Sequence, residues 1–140
     1  DDEYRLHMSA WSLLSAPLIA GNDLRTMSDT TKSILMNAEV IAVDQDKAVN
    51  PVKLVASPES SDKLLVWSKK LSDGSVAVGL FNRGDAAAPI SVSAKNLGFT
   101  SGKVNARDLW AHQPVNFSGD TFTANVPKQG VVLLRVAARR

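Results

Sequence analysis

Two aspartates one residue apart, Asp44 and Asp46 in the run Asp44-Gln45-Asp46, are the nearest this chain comes to a paired acid and base. Two carboxyl groups cleave glycosidic bonds when held about 5–5.5 Å apart for retention, or about 6.5–9.5 Å apart for inversion. Two loop residues can approach such distances, but nothing nearby fixes their separation. Helix termination and loop hydrogen bonding are the simpler role for this pair. Asp23 is the second candidate. It follows Leu18-Ile19-Ala20-Gly21-Asn22, where the C-terminal end of a parallel strand would present a substrate-facing side chain. The competing role is an Asx turn ahead of Thr26, with Arg25 as its partner.

Other chemistry is thinly represented. His7 lies three residues after Tyr4 on an apolar helical stripe and reads as a hydrogen-bonded core residue. His112 follows Trp110 in a turn with no second imidazole nearby, so neither histidine suggests a metal centre. The chain has no cysteine, which excludes a disulfide scaffold, a thiolate zinc site and a cysteine nucleophile. No serine sits in a G-x-S-x-G elbow, and no glycine loop of the phosphate-cradling kind is present. No cofactor is expected. Of the three tryptophans, Trp11 and Trp67 read as core. Trp110, at the entrance to Ala111-His112-Gln113-Pro114, is the one candidate platform for a sugar ring. Asn116-Phe117-Ser118 has the form of an N-glycosylation sequon.

The elements that would hold these residues fall into two parts. Asp1-Asp2-Glu3 put negative charge at a helix start, and Tyr4, Met8, Trp11 and Leu14 recur at helical spacing until Pro17. Leu18–Asn22 reads as a buried parallel strand, and Ser28 opens a second helix with an S-x-x-T start. Glu39–Asp44 is open between a helical turn and a short strand, with helix favoured. A parallel strand buried on both faces needs parallel neighbours, and no other segment supplies one, so the chain reads as part of something longer.

From Val52 onward the helical period gives way to short β-branched and aromatic runs: Lys53–Ala56, Lys63–Lys70, Ser75–Asn82, Ala88–Ser93, Gly102–Asp108, Asn116–Phe117, Thr121–Val126 and Val131–Val136. Turn clusters such as Pro58–Asp62, Ser72-Asp73-Gly74 and Ser118-Gly119-Asp120 separate them, the pattern of an antiparallel sandwich. The expected inward row includes Leu65, Trp67, Val76, Val78, Leu80, Ile90 and Val92, and the segment Val52–Val136 is expected to be stable alone. Residues 1–50 carry 8 acidic against 4 basic side chains and residues 51–140 carry 6 against 12. The basic charges are scattered, which describes a solvated surface and gives no support to a nucleic-acid partner. No run approaches the ~18 apolar residues of a membrane span.

Trp11–Ser28 (WSLLSAPLIAGNDLRTMS) and Glu39–Asp46 (EVIAVDQD) together resemble the end of the catalytic barrel of glycoside hydrolase family 27 α-galactosidases, the melibiase type. Arg107–His112 (RDLWAH), Phe117–Val126 and Gln129–Val136 resemble that family's C-terminal β-domain. The resemblance implies a β/α barrel end (residues 1–48) followed by an antiparallel, Greek-key-like β-sandwich of about eight strands (residues 49–140). It implies a retaining glycosidase acting on terminal α-galactosides in an extracytoplasmic compartment, its two catalytic aspartates lying on earlier barrel strands. No position here carries them. The expected role is therefore structural, closing the barrel and packing the β-domain, with the N-terminal barrel portion as partner. Asp23 and Trp110 are the only substrate-contact candidates. The alternative is a non-catalytic carbohydrate-binding or structural β-sandwich module.

Overall fold

A computed structural model of the chain describes residues 1–56, 62–100 and 103–139. The expected turn at Pro58–Ser61 and the strand start at Gly102 lie outside these residues. Among the described residues, three α-helices precede eight strands: α1 (Asp2–Leu14), α2 (Asp29–Leu35), α3 (Ala38–Asp44), β1 (Lys53–Ala56), β2 (Leu64–Lys70), β3 (Val76–Asn82), β4 (Ala88–Ser93), β5 (Val104–Asp108), β6 (Gln113–Val115), β7 (Thr121–Val126) and β8 (Gly130–Ala138).

Local chemistry sets the helix ends. Ser15 takes a left-handed conformation (φ +52°) after α1, and its N–H bonds back to the Ser12 carbonyl. The Ser28 hydroxyl accepts the Thr31 N–H at 3.1 Å, so the S-x-x-T start caps α2 as expected. Asn37 caps α3, accepting the Glu39 and Val40 N–H groups, which resolves Glu39–Asp44 as helix.

The strands form a six-stranded antiparallel sheet in the order β1-β2-β3-β8-β5-β6, faced by the two-stranded sheet β4-β7. The chain leaves the large sheet after β3 for β4, returns for β5 and β6, leaves again for β7, and returns at β8, which inserts between β3 and β5. Asn82 secures the first crossing: fully buried, its amide donates to the carbonyls of Ala86 and Val126 and accepts the Gly84 N–H. Ser72-Asp73-Gly74 makes the β2–β3 turn, where Gly74 supplies the left-handed φ of +86°. Asp73 accepts from Ser75 N–H and Oγ and from Arg135, contacts that hold its carboxyl down to about 2.

The large sheet is covered on both faces. Every residue of β3 is buried. Its Val76, Val78 and Leu80 face β4-β7, together with Val66, Ile90, Val92, Val126 and Leu134. The opposite row, Ala77 and Phe81, packs with Leu65, Trp67 and Leu133 against Met8 and Leu13 of α1 and Val40 and Val43 of α3. The molecule is thus three layers deep: helices, large sheet, small sheet. The α1 helix approaches so closely that a Cβ on Gly79 would lie 2.9 Å from Leu13 Cδ1 and 2.3 Å from Phe81 Cε2. Only glycine fits there.

Several expectations from sequence need correction. Residues 17–22 form no strand, because a parallel ladder needs neighbours and every strand pair among the described residues is antiparallel. The sixth strand is Gln113–Val115 and not Asn116–Phe117: it pairs directly with β5, while Phe117 stacks on Phe122. Leu65 and Trp67 do not share a face with Val76 and Val78, because period-2 alternation sends them to the helical layer. The α1 stripe is split. Met8 and Leu13 are buried, whereas Tyr4, Trp11 and Leu14 are 60%, 48% and 51% exposed. His7 is also exposed, its ring edge-on to Trp11 at 5.8 Å. The helix-facing row of Val52–Val136, with Ala77, Phe81 and Leu133, packs against α1 and α3.

Candidate functional site

Two regions concentrate the polar chemistry of this chain. One is the seam between helices and large sheet, and the other is a groove on the opposite side of α1.

At the centre of the seam lies Lys69, the largest fully buried side chain among the described residues. It occupies the helix-facing row of β2, between Trp67 and Leu71. Its Nζ donates to the Ser12 carbonyl (3.3 Å), the Val43 carbonyl (2.7 Å) and Ser15 Oγ (2.6 Å). Those carbonyls belong to the last turns of α1 and α3, where helices carry partial negative charge. One ammonium therefore closes the ends of two helices onto one strand. Burial pushes the Lys69 pKa down, partly offset by the charges of Asp44 and Asp46.

Asp44-Gln45-Asp46 belongs to this seam. Asp44 is buried and its Oδ2 accepts from Gln45 Nε2, leaving Oδ1 and the nearby Ser12 Oγ without protein partners among the described residues. Asp46 accepts the Ala48 N–H, the Ser72 N–H and the Ser72 hydroxyl, fastening the end of α3 to the β2–β3 turn. Burial opposes ionisation there, but the Ser72 and Ala48 donors outweigh it and hold the Asp46 carboxyl below its ordinary value. Asp46 works as a fastener, whereas the Asp44 carboxylate bonds only its neighbour Gln45 among the described residues.

The second clasp joins the two motifs that carried the family resemblance. Glu39, in the first turn of α3, receives a two-pronged bond from Arg107 of β5, at 2.7 and 2.8 Å. His112 Nδ1 lies 2.7 Å from the same carboxylate, placed there by a left-handed backbone (φ +56°). Asp108 caps the intervening turn through the Trp110 and Ala111 N–H groups. The buried Asn37 amide donates to the Leu109 carbonyl at 2.9 Å. Trp110 is half-buried and its Nε1 donates to Ser9 Oγ of α1 at 2.9 Å.

Arg107 above all, with His112 adding, brings the Glu39 pKa down to about 2. A carboxylate held below its unfolded value of 4.5 stabilises fully above pH 4.5, and that stabilisation is lost as pH falls toward 2. Melting temperatures should therefore drop over that window less steeply in Glu39→Gln than in the parent chain. Parallel curves would assign the acid loss to Asp73 and other carboxylates instead.

The groove, of about 560 Å³, is lined by Tyr4, His7, Trp11, Asn22, Asp23 and Met27 among others. Asp23 lines the groove with both carboxylate oxygens already paired. Its Oδ1 accepts Arg25 N–H and Nε, and its Oδ2 accepts Arg25 Nη2 at 2.9 Å. The Arg25 side-chain and backbone bonds lower its pKa. Asp23 and Trp110 are not brought together: one is in the groove and the other in the clasp. Among the described residues, no group of three potential metal ligands exists, and no helix is long and apolar enough to cross a membrane.

The family described as alpha galactosidase C-terminal beta sandwich domain matches residues 61–136, and that described as Alpha galactosidase A matches residues 1–46. The chain belongs to the family 27 α-galactosidases. It is 43% identical over 126 residues to an α-galactosidase of Cyamopsis tetragonoloba, covering 89% of this chain and 30% of that protein. The crystal structure of α-galactosidase I from Mortierella vinacea superposes with a TM-score of 0.89 at 33% identity, covering 98% of this chain and 36% of that one. A β-L-arabinopyranosidase from Geobacillus stearothermophilus superposes at 0.86 with 28% identity, over 97% and 30% respectively. The chain thus spans about a third of the length of the relatives it matches.

Sequence reasoning missed Lys69, Glu39 and Arg107 as the fasteners of this α-galactosidase-family chain. Lys69 had a signal: it is the single charge in the alternating row Leu65, Trp67, Lys69, Leu71. Glu39 and Arg107 had none, since 68 residues separate them.

Proposed function

We propose that this chain serves as the C-terminal portion of a retaining α-galactosidase-type glycosidase, closing its barrel and carrying its β-domain, and is not catalytic by itself. The division falls at residue 48, with 1–48 the barrel end and 49–140 the sandwich. The observation that carries the reading is the exposed apolar flank of α1: Tyr4, Trp11 and Leu14 stand open, as does Ile19, 87% exposed in the segment between α1 and α2. An amphipathic helix with an open flank and a strand-like segment lacking neighbours fit a barrel portion as their cover. Terminal α-galactosides are then substrates of the complete enzyme. Asp23 holds the loop after Asn22 through Arg25, and Trp110 anchors α1 through Ser9, so neither takes a direct part in turnover.

The test is hydrolysis of an aryl α-galactoside. The chain alone should show no turnover above background, and the chain joined after the barrel portion of a related α-galactosidase should hydrolyse it. Turnover by the chain alone, abolished by Asp44→Asn or Asp23→Asn, would overturn the reading.

A further inference from the structure

The Asn116-Phe117-Ser118 triplet takes no part in the seam or the groove. Asn116 and Ser118 are exposed, while Phe117 turns inward and stacks on Phe122 with ring centroids 5.7 Å apart. In extended backbone, residues two apart share a face. Phe117 is partly buried between them, and the exposed Asn116 amide and Ser118 hydroxyl stand outward. The chain then turns sharply: Ser118 N–H donates to the Thr121 carbonyl at 2.8 Å, Thr121 N–H to the Ser118 carbonyl at 3.1 Å, and Gly119 adopts φ +63°. Among the described residues, nothing hydrogen-bonds the Asn116 side chain. It is the one N-x-S/T triplet in the sequence.

We propose that Asn116 is an acceptor for N-linked glycosylation when the chain crosses a secretory membrane. The donor class is an oligosaccharide linked to a polyprenyl diphosphate. Asn116 Nδ2 attacks the anomeric carbon and forms the N–C bond. The bond from that carbon to the diphosphate oxygen breaks, its electron pair leaving with the diphosphate, and one Nδ2 proton is released to base. The Ser118 hydroxyl, on the same face, is the group the transferase reads beside the amide.

The position tolerates a bulky sugar. Strand β6 runs from Gln113, opposite Asp108, to Val115, opposite Ala106, so it leads away from the Glu39 clasp. Asn116 lies three residues beyond Gln113, roughly 10 Å along the strand. Because β6 is the outer strand of the large sheet, a glycan here also shields an edge open to pairing with other chains.

The full chain, carrying a cleavable secretion signal, is translated into glycosylation-competent microsomes. One glycosidase-sensitive increase in size is expected, abolished by Asn116→Gln and by Ser118→Ala and retained by Ser118→Thr. Transfer accompanies translocation, so a variant that folds poorly still gives a readable band. Peptide mass analysis after enzymatic deglycosylation should find the Asn116→Asp conversion. An unmodified wild-type chain beside a glycosylated control protein would overturn the proposal, as would a size increase that survives Asn116→Gln.

Discussion

Lys69→Met should lower the free energy of unfolding by about 3–5 kcal/mol, the range for removing one partner from a buried charged network. The methionine fills similar space, so little of the loss comes from packing. The loss comes from what remains: the Val43 carbonyl and the Ser15 hydroxyl lose their donor, the Ser12 carbonyl keeps only the Ser15 N–H, and the buried Asp44 loses an opposing charge. The pH dependence has a definite sign. Lys69 in the folded chain has a pKa below its ordinary 10.5. Between the two values the unfolded chain binds more protons, so this residue's contribution to stability rises as pH climbs toward 10.5. Denaturant titrations from neutral to alkaline pH should show that rise in the parent chain and its absence in Lys69→Met. A loss below about 1 kcal/mol at neutral pH would mean that Lys69 is a tolerated burial and not a fastener.

The second large effect separates the two faces of α1. Leu13 is fully buried against Phe81 and over Gly79, where the backbone gives it no room to be replaced by neighbours. Leu13→Ala should cost about 2–5 kcal/mol by denaturant unfolding, the transfer loss plus a cavity that a packed sheet cannot close. Leu14→Ala, one residue away on the open flank, should change stability by no more than about 0.5 kcal/mol. The reverse ranking would mean that α1 docks through its other face, contradicting the three-layer packing.

How much of this was legible follows the range of each interaction. Strands β4 and β7 were readable to the residue because alternation and the Gly119 turn are local signals. The Ser28 cap was readable for the same reason. The strand expected at Leu18–Asn22 was not formed, since its apolar run describes a burial that only parallel neighbours could provide. The split of α1 was invisible because Met8, Trp11 and Leu14 look alike to a helical period, and only the sheet decides which of them it covers. Assigning Leu65 and Trp67 to the sandwich interior assumed one buried face per strand. That assumption fails for a sheet packed on both sides. Of the site, the motifs Glu39–Asp46 and Arg107–His112 stood out as family segments, but nothing in either foretold that Glu39 and Arg107 meet. Ion pairs across 68 residues leave no trace in periodicity.

The closing helices and the large sheet are one body, fastened by Lys69, Asp46 and the Glu39–Arg107 clasp. Native-state hydrogen exchange tests it most directly, because it reads the opening free energy of each segment separately. Amides of α1 and α3 should open with the same free energy, and the same denaturant dependence, as those of β3 and β8. Helices that exchange in a separate, weaker opening while β3 and β8 keep full protection would contradict it.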